Sequence, residues 1–159
     1  MSIFNIVKSF LNFRSGIDVC DINKISFWTF SLAKNNEYTI TENNIRLHSA
    51  YNPSKEAQSI SKNIQNTDTV IFTGFGLGYH VLEAANEIVN QNACNSKKLI
   101  LIESDINRLL ASFCVLDWEK VFMIDQLIFA VGCPVNQLLP LLENQQEIGL
   151  NNGGLSDAY

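Results

Sequence analysis

The stretch TVIFTGFGLGYH, residues 69–80, decides the fold of this chain. An apolar run leads into three glycines at alternate positions, and a helical pattern follows. About twenty residues after that turn, a second apolar run, 99–102, ends on Glu103. Glycines let the backbone turn sharply and approach a ligand closely, and the start of the next helix offers free N–H groups to an anion. The stretch therefore predicts the strand, turn and helix of a Rossmann-like nucleotide or cofactor site.

Residues 67–145 repeat the strand-and-helix pattern, so the predicted fold class is α/β with a Rossmann-like βαβαβα core. Continuous apolar runs are typical of parallel strands that are covered on both faces. Strands are expected near 69–73, 98–103 and 126–131. Helices are expected over Tyr79–Asn92, from Asp105, and from Pro134. Right-handed crossovers place the strands in the order 3-2-1, which makes one half of a dinucleotide fold, a short parallel sheet in a three-layer half-fold.

Residues 1–66 are expected to pack on this core. An amphipathic helix is predicted from Ser2 to about Phe13, and it would dock on the domain itself or on a partner. The β-rich segments of residues 27–47, separated by paired asparagines, predict a small antiparallel meander. Asn52-Pro53 then predicts a helix start. The polar residues 146–159 are interpreted as a linker or tail towards a missing downstream domain.

Composition excludes several classes of protein. The chain has 159 residues, 47% of them hydrophobic and 17% charged, which is typical of one globular domain. A net charge of −5 argues against a nucleic-acid partner, because such binding needs Lys and Arg to neutralise phosphates. No apolar run has membrane-spanning length, so no membrane partner is expected. The four cysteines include no C-x-x-C pair, and we predict a reducing, cytoplasmic location.

The glycines form the pattern Gly74-x-Gly76-x-Gly78, and we take all three as candidate ligand-binding residues. This spacing resembles the S-adenosylmethionine loop of class I methyltransferases. Two features depart from that loop: Thr73 stands where an acid usually precedes the first glycine, and Glu103 lies twenty-nine residues past Gly74. The alternative is that the glycines only allow the strand and helix to pack closely.

Three further residues complete the candidate site. Glu103 would accept a hydrogen bond from a ribose hydroxyl, and Tyr79 or His80 would flank the anionic or aromatic part of a ligand. Alternatively, His80 is a polar surface or half-buried residue, and Glu103 is a solvated strand end or caps the helix at Asp105. The pattern requires no cofactor; a nucleotide or an S-adenosylmethionine-like molecule is the expected ligand if one binds.

Catalytic chemistry is not visible in the sequence. His48 and Ser49 are adjacent, and neighbouring side chains on an extended segment point apart, so we interpret them as polar groups that hold a loop. No cluster of Cys, His, Asp or Glu has the spacing of metal ligands.

Three segments carry a resemblance to a known family: IRLHSAYNPSKEA at 45–57, VIFTGFGLGYH at 70–80 and LIESD at 101–105. Together they resemble the N-terminal region of the motility-associated factor (Maf) glycosyltransferases, over roughly residues 27–143. The resemblance implies a bacterial protein that attaches nonulosonic acids, such as pseudaminic or legionaminic acid, to serines and threonines of flagellin. In that family the sugar-transfer centre lies in a separate domain downstream, and no catalytic residue matches here.

The resemblance therefore implies a non-catalytic accessory domain of a glycosyltransferase. Its expected partners are the downstream domain of the same protein and flagellin. The alternative, from another class, is a small S-adenosylmethionine-dependent methyltransferase-like or nucleotide-binding domain.

Overall fold

A computed structural model describes residues 28–61, 67–134 and 136–140. This part of the chain is mixed α/β, with one antiparallel and one parallel sheet of three strands each, plus helices. The amphipathic helix predicted from Ser2 and the tail predicted over 146–159 lie outside the described residues.

The antiparallel sheet contains β1 (Thr29–Leu32), β2 (Tyr38–Glu42) and β3 (Ile45–Arg46), in that order. Asn36, at φ 65°, lies in the first turn, and Asn43 and Asn44, at 50° and 65°, form the second. Asparagine tolerates this left-handed region better than most residues, which explains the paired asparagines. The predicted meander is confirmed.

Helix α1 (Pro53–Ser61) begins as the sequence predicts. The Asn52 side-chain oxygen accepts a hydrogen bond from the Lys55 N–H at 2.7 Å, and Pro53 occupies the first helical position. Proline has no N–H to satisfy there, and its φ suits a helix. Ala57 faces inward and is 1% exposed.

The parallel sheet and its helices follow in alternation. The elements are β4 (Thr69–Thr73), α2 (Tyr79–Asn90), β5 (Lys98–Glu103), α3 (Ile106–Val115), a short 3-10 turn (Val121–Met123) and β6 (Gln126–Val131). Asp105 caps α3, since its carboxylate accepts from the Asn107 N–H at 2.8 Å. Residues 136–140, just after Pro134, are helical.

Strand β5 lies in the middle of the parallel sheet, between β4 and β6. Its side chains Leu99, Ile100 and Leu101 are at most 1% exposed, so both of its faces are covered. The predicted central position of this strand is confirmed. Its apolar run reflects burial on both faces, as expected for a central parallel strand.

Two groups of buried side chains hold the parts together. The larger lies on the parallel sheet and includes Phe72, Leu101 and Phe113. The smaller joins the meander, α1, the glycine-rich turn and α3; its members are Trp28, Ile40, Ala57, Leu77, Tyr79 and Ala111. Because one apolar group contains residues from all these elements, the meander and the turn are packed against each other.

Candidate functional site

The glycine-rich turn follows β4 at its carboxyl end, and all three glycines have positive φ. The angles are 57° at Gly74, 57° at Gly76 and 89° at Gly78. A side chain is strained in this region, so glycine is favoured at each position. The Gly74 N–H donates to the Ile102 carbonyl at 3.1 Å, which extends the β-ladder into the turn. The sharp backbone turn predicted from these glycines is confirmed.

His48 fills the space beside Gly76. A Cβ placed on Gly76 would lie 2.7 Å from His48 Nε2, closer than real Cβ atoms come. The Leu77 N–H donates a hydrogen bond to the same nitrogen at 2.9 Å. Nε2 therefore carries a lone pair, and His48 is neutral with its proton on Nδ1. His48 thus accepts the Leu77 N–H, a backbone donor of the turn that would otherwise be free to bind a ligand.

Trp118 and Ser112 close the turn beside Gly78. A Cβ on Gly78 would lie 2.6 Å from Trp118 Cζ2 and 3.4 Å from Ser112 Oγ. The Ser112 hydroxyl donates to the Leu77 carbonyl, and Trp118 Nε1 donates to Ser112 Oγ at 3.0 Å. Side chains thus hold Leu77 at both its N–H and its carbonyl. We call this arrangement of His48, Leu77, Ser112 and Trp118 the locked turn.

Gly74 is the open end of the turn. It is exposed, and a Cβ placed there would meet no heavy atom within 4 Å. The two glycines that follow it are buried. Room beside the turn therefore lies at Gly74, directly after the strand, while Gly76 and Gly78 allow close internal packing.

Glu103 is buried rather than solvated, with 2% of its surface exposed. Its Oε1 accepts from the Asp105 N–H and the Ser104 hydroxyl, both at 3.2 Å, in agreement with a cap before α3. Arg108 Nη1 lies 3.8 Å from the same oxygen. Glu103 Oε2 is buried and has no hydrogen-bond partner among the described residues. The interpretation of Glu103 as a solvated strand end is wrong, because the following turn and Arg108 cover it.

Arg108 also pairs with a second carboxylate. Its Nη2 contacts Glu42 on β2, and Trp28 Nε1 donates to the other Glu42 oxygen at 3.1 Å. One guanidinium therefore lies between Glu42 and Glu103. This pairing ties the meander to the carboxyl end of β5, beside the smaller apolar group.

Tyr79 and His80 begin helix α2 on the side of the meander. The Tyr79 hydroxyl donates to the Tyr38 carbonyl at 2.8 Å, and the Tyr79 ring meets the His48 ring edge-on at 5.3 Å. His80 is half-buried, with its ring centre 6.2 Å from that of His48. The half-buried alternative for His80 is confirmed. Both residues take part in the contact between α2 and the meander.

Burial sets the protonation of these groups. Burial lowers the pKa of His48 to about 4, and the nearby His80 adds to the effect. Burial also lowers the pKa of His80, partly opposed by the Glu56 carboxylate. For Tyr79, burial raises the pKa of the hydroxyl, and the Glu37 carboxylate raises it further. His48 is therefore uncharged at neutral pH, as its hydrogen bond requires.

The sequence interpretation missed most of the residues that hold the turn. The prediction that His48 is a polar group that holds a loop is confirmed, but the loop is the glycine turn twenty-nine residues away. Ser112 and Trp118 lie in and after a helix whose pattern indicated only packing. Neither carries a local signal of its role. The ligand role of Gly74, Gly76, Gly78, Tyr79, His80 and Glu103 stays a prediction.

Comparison with known proteins adds a family to this geometry. The model of the family described as "Glycosyltransferase Maf N-terminal domain" matches residues 24–126. The chain belongs to this family. No curated protein and no solved structure matches it. The resemblance inferred from the three sequence segments is confirmed.

The match places the whole locked turn, from His48 to Trp118, inside the Maf N-terminal domain. Within the described ranges of this domain, no three His, Cys, Asp or Glu side chains are grouped to hold a metal ion. Among the same residues, no helix has the length and apolar character needed to cross a membrane.

Proposed function

We propose that this Maf N-terminal domain is a non-catalytic part of a bacterial glycosyltransferase that attaches nonulosonic acids to flagellin. Its role is to fold as a rigid unit that supports a downstream catalytic domain of the same protein. The family match supports the link to a Maf glycosyltransferase. Flagellin and the sugar come from the resemblance of the three sequence segments.

The locked turn is the observation that carries the non-catalytic part of the proposal. In nucleotide-binding turns the glycines leave room for a ligand, and free N–H groups face it. Here His48 and Trp118 stand where a Cβ of Gly76 or Gly78 would be, and Leu77 is hydrogen-bonded at both backbone groups. The turn thereby joins the meander to α3. This favours a structural use of the glycines.

The proposed organisation has three parts. Residues 1–66 pack on a Rossmann-like core of residues 67–145, and residues 146–159 lead to the downstream domain. The contacts of Trp28, Ile40 and Ala57 with the turn and α3 support the first of these statements. We place the parent protein in the cytoplasm.

Complementation of a strain that lacks the parent gene tests the proposal. The parent gene carrying Gly76→Val should fail to restore the sugar on flagellin, measured by mass spectrometry of the intact protein, because Val would collide with His48. Gly74→Val is the matched control, with the same side chain at the same φ but in open space, and should restore glycosylation. Equal flagellin masses with and without the parent gene would contradict the assignment to flagellin. Full glycosylation by a parent that lacks this domain would contradict the supporting role.

A nucleotide or an S-adenosylmethionine-like ligand is the second candidate. The open space at Gly74 and the unpartnered Oε2 of Glu103 favour it, since parallel sheets bind ligands outside the carboxyl ends of their strands. Calorimetric titration of the purified chain with CMP, S-adenosylmethionine and S-adenosylhomocysteine separates the two candidates. The leading proposal expects no saturable heat. Binding that Glu103→Ala weakens would support the second candidate instead.

A further inference from the structure

The outer edge of β6 is unpaired within the described part of the chain. Strand β6 ends the order β4-β5-β6 and pairs with β5 along one edge. The Gly132 N–H donates to the Glu103 carbonyl at 2.8 Å, which shows which residues face β5. Because backbone groups alternate in direction along a strand, the even-numbered residues of β6 pair with β5. The N–H and carbonyl groups of Leu127, Phe129 and Val131 therefore point outward.

This edge lacks the usual protection. Proteins commonly blunt a free edge with charged side chains, proline or a bulge, to prevent pairing with another chain. Residues 127–131, LIFAV, contain no charge and no proline. The Val131 carbonyl has one long contact, from the Cys133 thiol at 3.8 Å. Among the described residues, a strand arriving at this edge would meet no charge on residues 127–131 and would displace the Cys133 contact.

The side chains of β6 are also less covered than those of β5. Leu127, Ile128 and Phe129 are half-buried, whereas the neighbouring Leu99, Ile100 and Leu101 are buried. The difference affects both faces, since successive side chains alternate between them. An added strand with its own side chains would cover part of each face.

We propose that β6 pairs with β6 of a second copy of this chain, antiparallel across a two-fold axis at Phe129. Phe129 is the middle one of the three outward residues, so a two-fold axis there sets it opposite itself. Leu127 then lies opposite Val131 of the second copy. Each outward residue forms a hydrogen-bonded pair with the residue opposite it, and the two exchange both N–H···O bonds. The sheet then continues through both chains.

The charged residue next to β6 is compatible with a second copy in this register. Asp125 precedes the strand, and antiparallel pairing about Phe129 sets it opposite Cys133 of the second copy rather than opposite another acid. Like charges directly opposite would destabilise the pair, and here none meet. The central aromatic pair adds a favourable cross-strand contact. The inference uses only β6 and stands independently of the proposed glycosyltransferase role.

Two proline variants test the edge. Val131→Pro removes an outward N–H of β6 and leaves the Gly132 bond to β5 intact. Thr73→Pro is the matched control: it removes an outward N–H at the end of β4, and the Gly74 bond to Ile102 remains. Sedimentation velocity of the full chain over a range of concentrations should show a dimer for the wild type and for Thr73→Pro. The Val131→Pro variant should sediment as a monomer.

Three outcomes of the sedimentation experiment would overturn the proposal. A wild type that stays monomeric at all concentrations overturns the proposal, as does a dimer that Val131→Pro leaves intact. Loss of the dimer in both variants also overturns it. Hydrogen exchange of the wild type avoids any dependence on variant folding. The Leu127, Phe129 and Val131 amides should exchange at least several-fold faster on dilution, while Ile71 and Thr73 stay unchanged; exchange at β6 that is independent of concentration would overturn the inference.

Discussion

Acid should destabilise the domain through His48. The neutral ring accepts the Leu77 N–H, so a proton on Nε2 would set two donors against each other. The pKa of His48 is lowered to about 4 by burial and by His80, while the unfolded chain titrates near the ordinary 6.5. Between these values the unfolded state binds more protons than the folded state. The contribution of His48 is therefore fully present above pH 6.5 and is lost as pH falls towards 4.

The size of the stability loss follows from the pKa shift of His48. Each pKa unit corresponds to about 1.4 kcal/mol, so the full contribution of His48 is about 3 kcal/mol. About 2 kcal/mol of it should be lost between pH 7.5 and pH 5, where His48 is protonated in the unfolded chain and still neutral in the folded one. Glu37, whose pKa is also lowered from its usual 4.5, acts below this range. Burial raises the pKa of Glu37, and hydrogen bonds from Ser54 and from the Asn35 side chain together outweigh it.

Urea unfolding at pH 7.5, 6.5, 5.5 and 5 measures the loss directly. His48→Gln is the informative variant, because its amide oxygen can accept the Leu77 N–H and does not titrate. Its free energy of unfolding should fall about 2 kcal/mol less over this range than that of the wild type. His80→Gln is the control, since the pKa of His80 is also lowered and contributes with the same sign. It should remove only a part of the slope. Parallel loss of stability in wild type and His48→Gln would refute the neutral, buried role of His48.

Three further outcomes are expected. Gly76→Ala should destabilise the domain more than Gly74→Ala in urea unfolding; both add about 1–2 kcal/mol of left-handed backbone strain, but only the first meets His48. The reverse order would contradict the locked turn. Arg108→Leu should cost about 2 kcal/mol, less than a fully buried pair because its side chain is 31% exposed, and adding Glu103→Gln should recover part of the loss. Additive losses would contradict the pairing. The purified chain, incubated with a nonulosonic acid donor or S-adenosylmethionine, should transfer neither group to an acceptor by mass spectrometry, and robust transfer would overturn the non-catalytic proposal.

Local patterns were sufficient for the strands of both sheets and for the starts of α1, α2 and α3. The apolar run of β5 demanded cover on both faces and so indicated its central position. The Asn52-Pro53 pair marked the start of α1, and the asparagine pairs marked the turns of the meander. In each case the signal and the structure depend on the same few neighbouring residues, so a single sequence contains the information.

The candidate site could be predicted only in part. The alternation of Gly74, Gly76 and Gly78 correctly indicated a tight turn after β4, and all three glycines have positive φ there. It could not show what fills the space beside each glycine. That space is decided by side chains distant in sequence, and Arg108, which lies beside Glu103, is in turn paired with the distant Glu42 on β2.

The sequence by itself determined the α/β pattern, the turn and the Maf family. Only the tertiary structure decided how the turn is used. A glycine makes room for a ligand and for a packed side chain equally well, because both uses depend on the absent Cβ and on the same positive φ. The two uses differ in which atoms occupy that room, and here His48 and Trp118 occupy it at Gly76 and Gly78. Those atoms meet the turn only when the meander and α3 fold against it, so no local pattern carries the distinction.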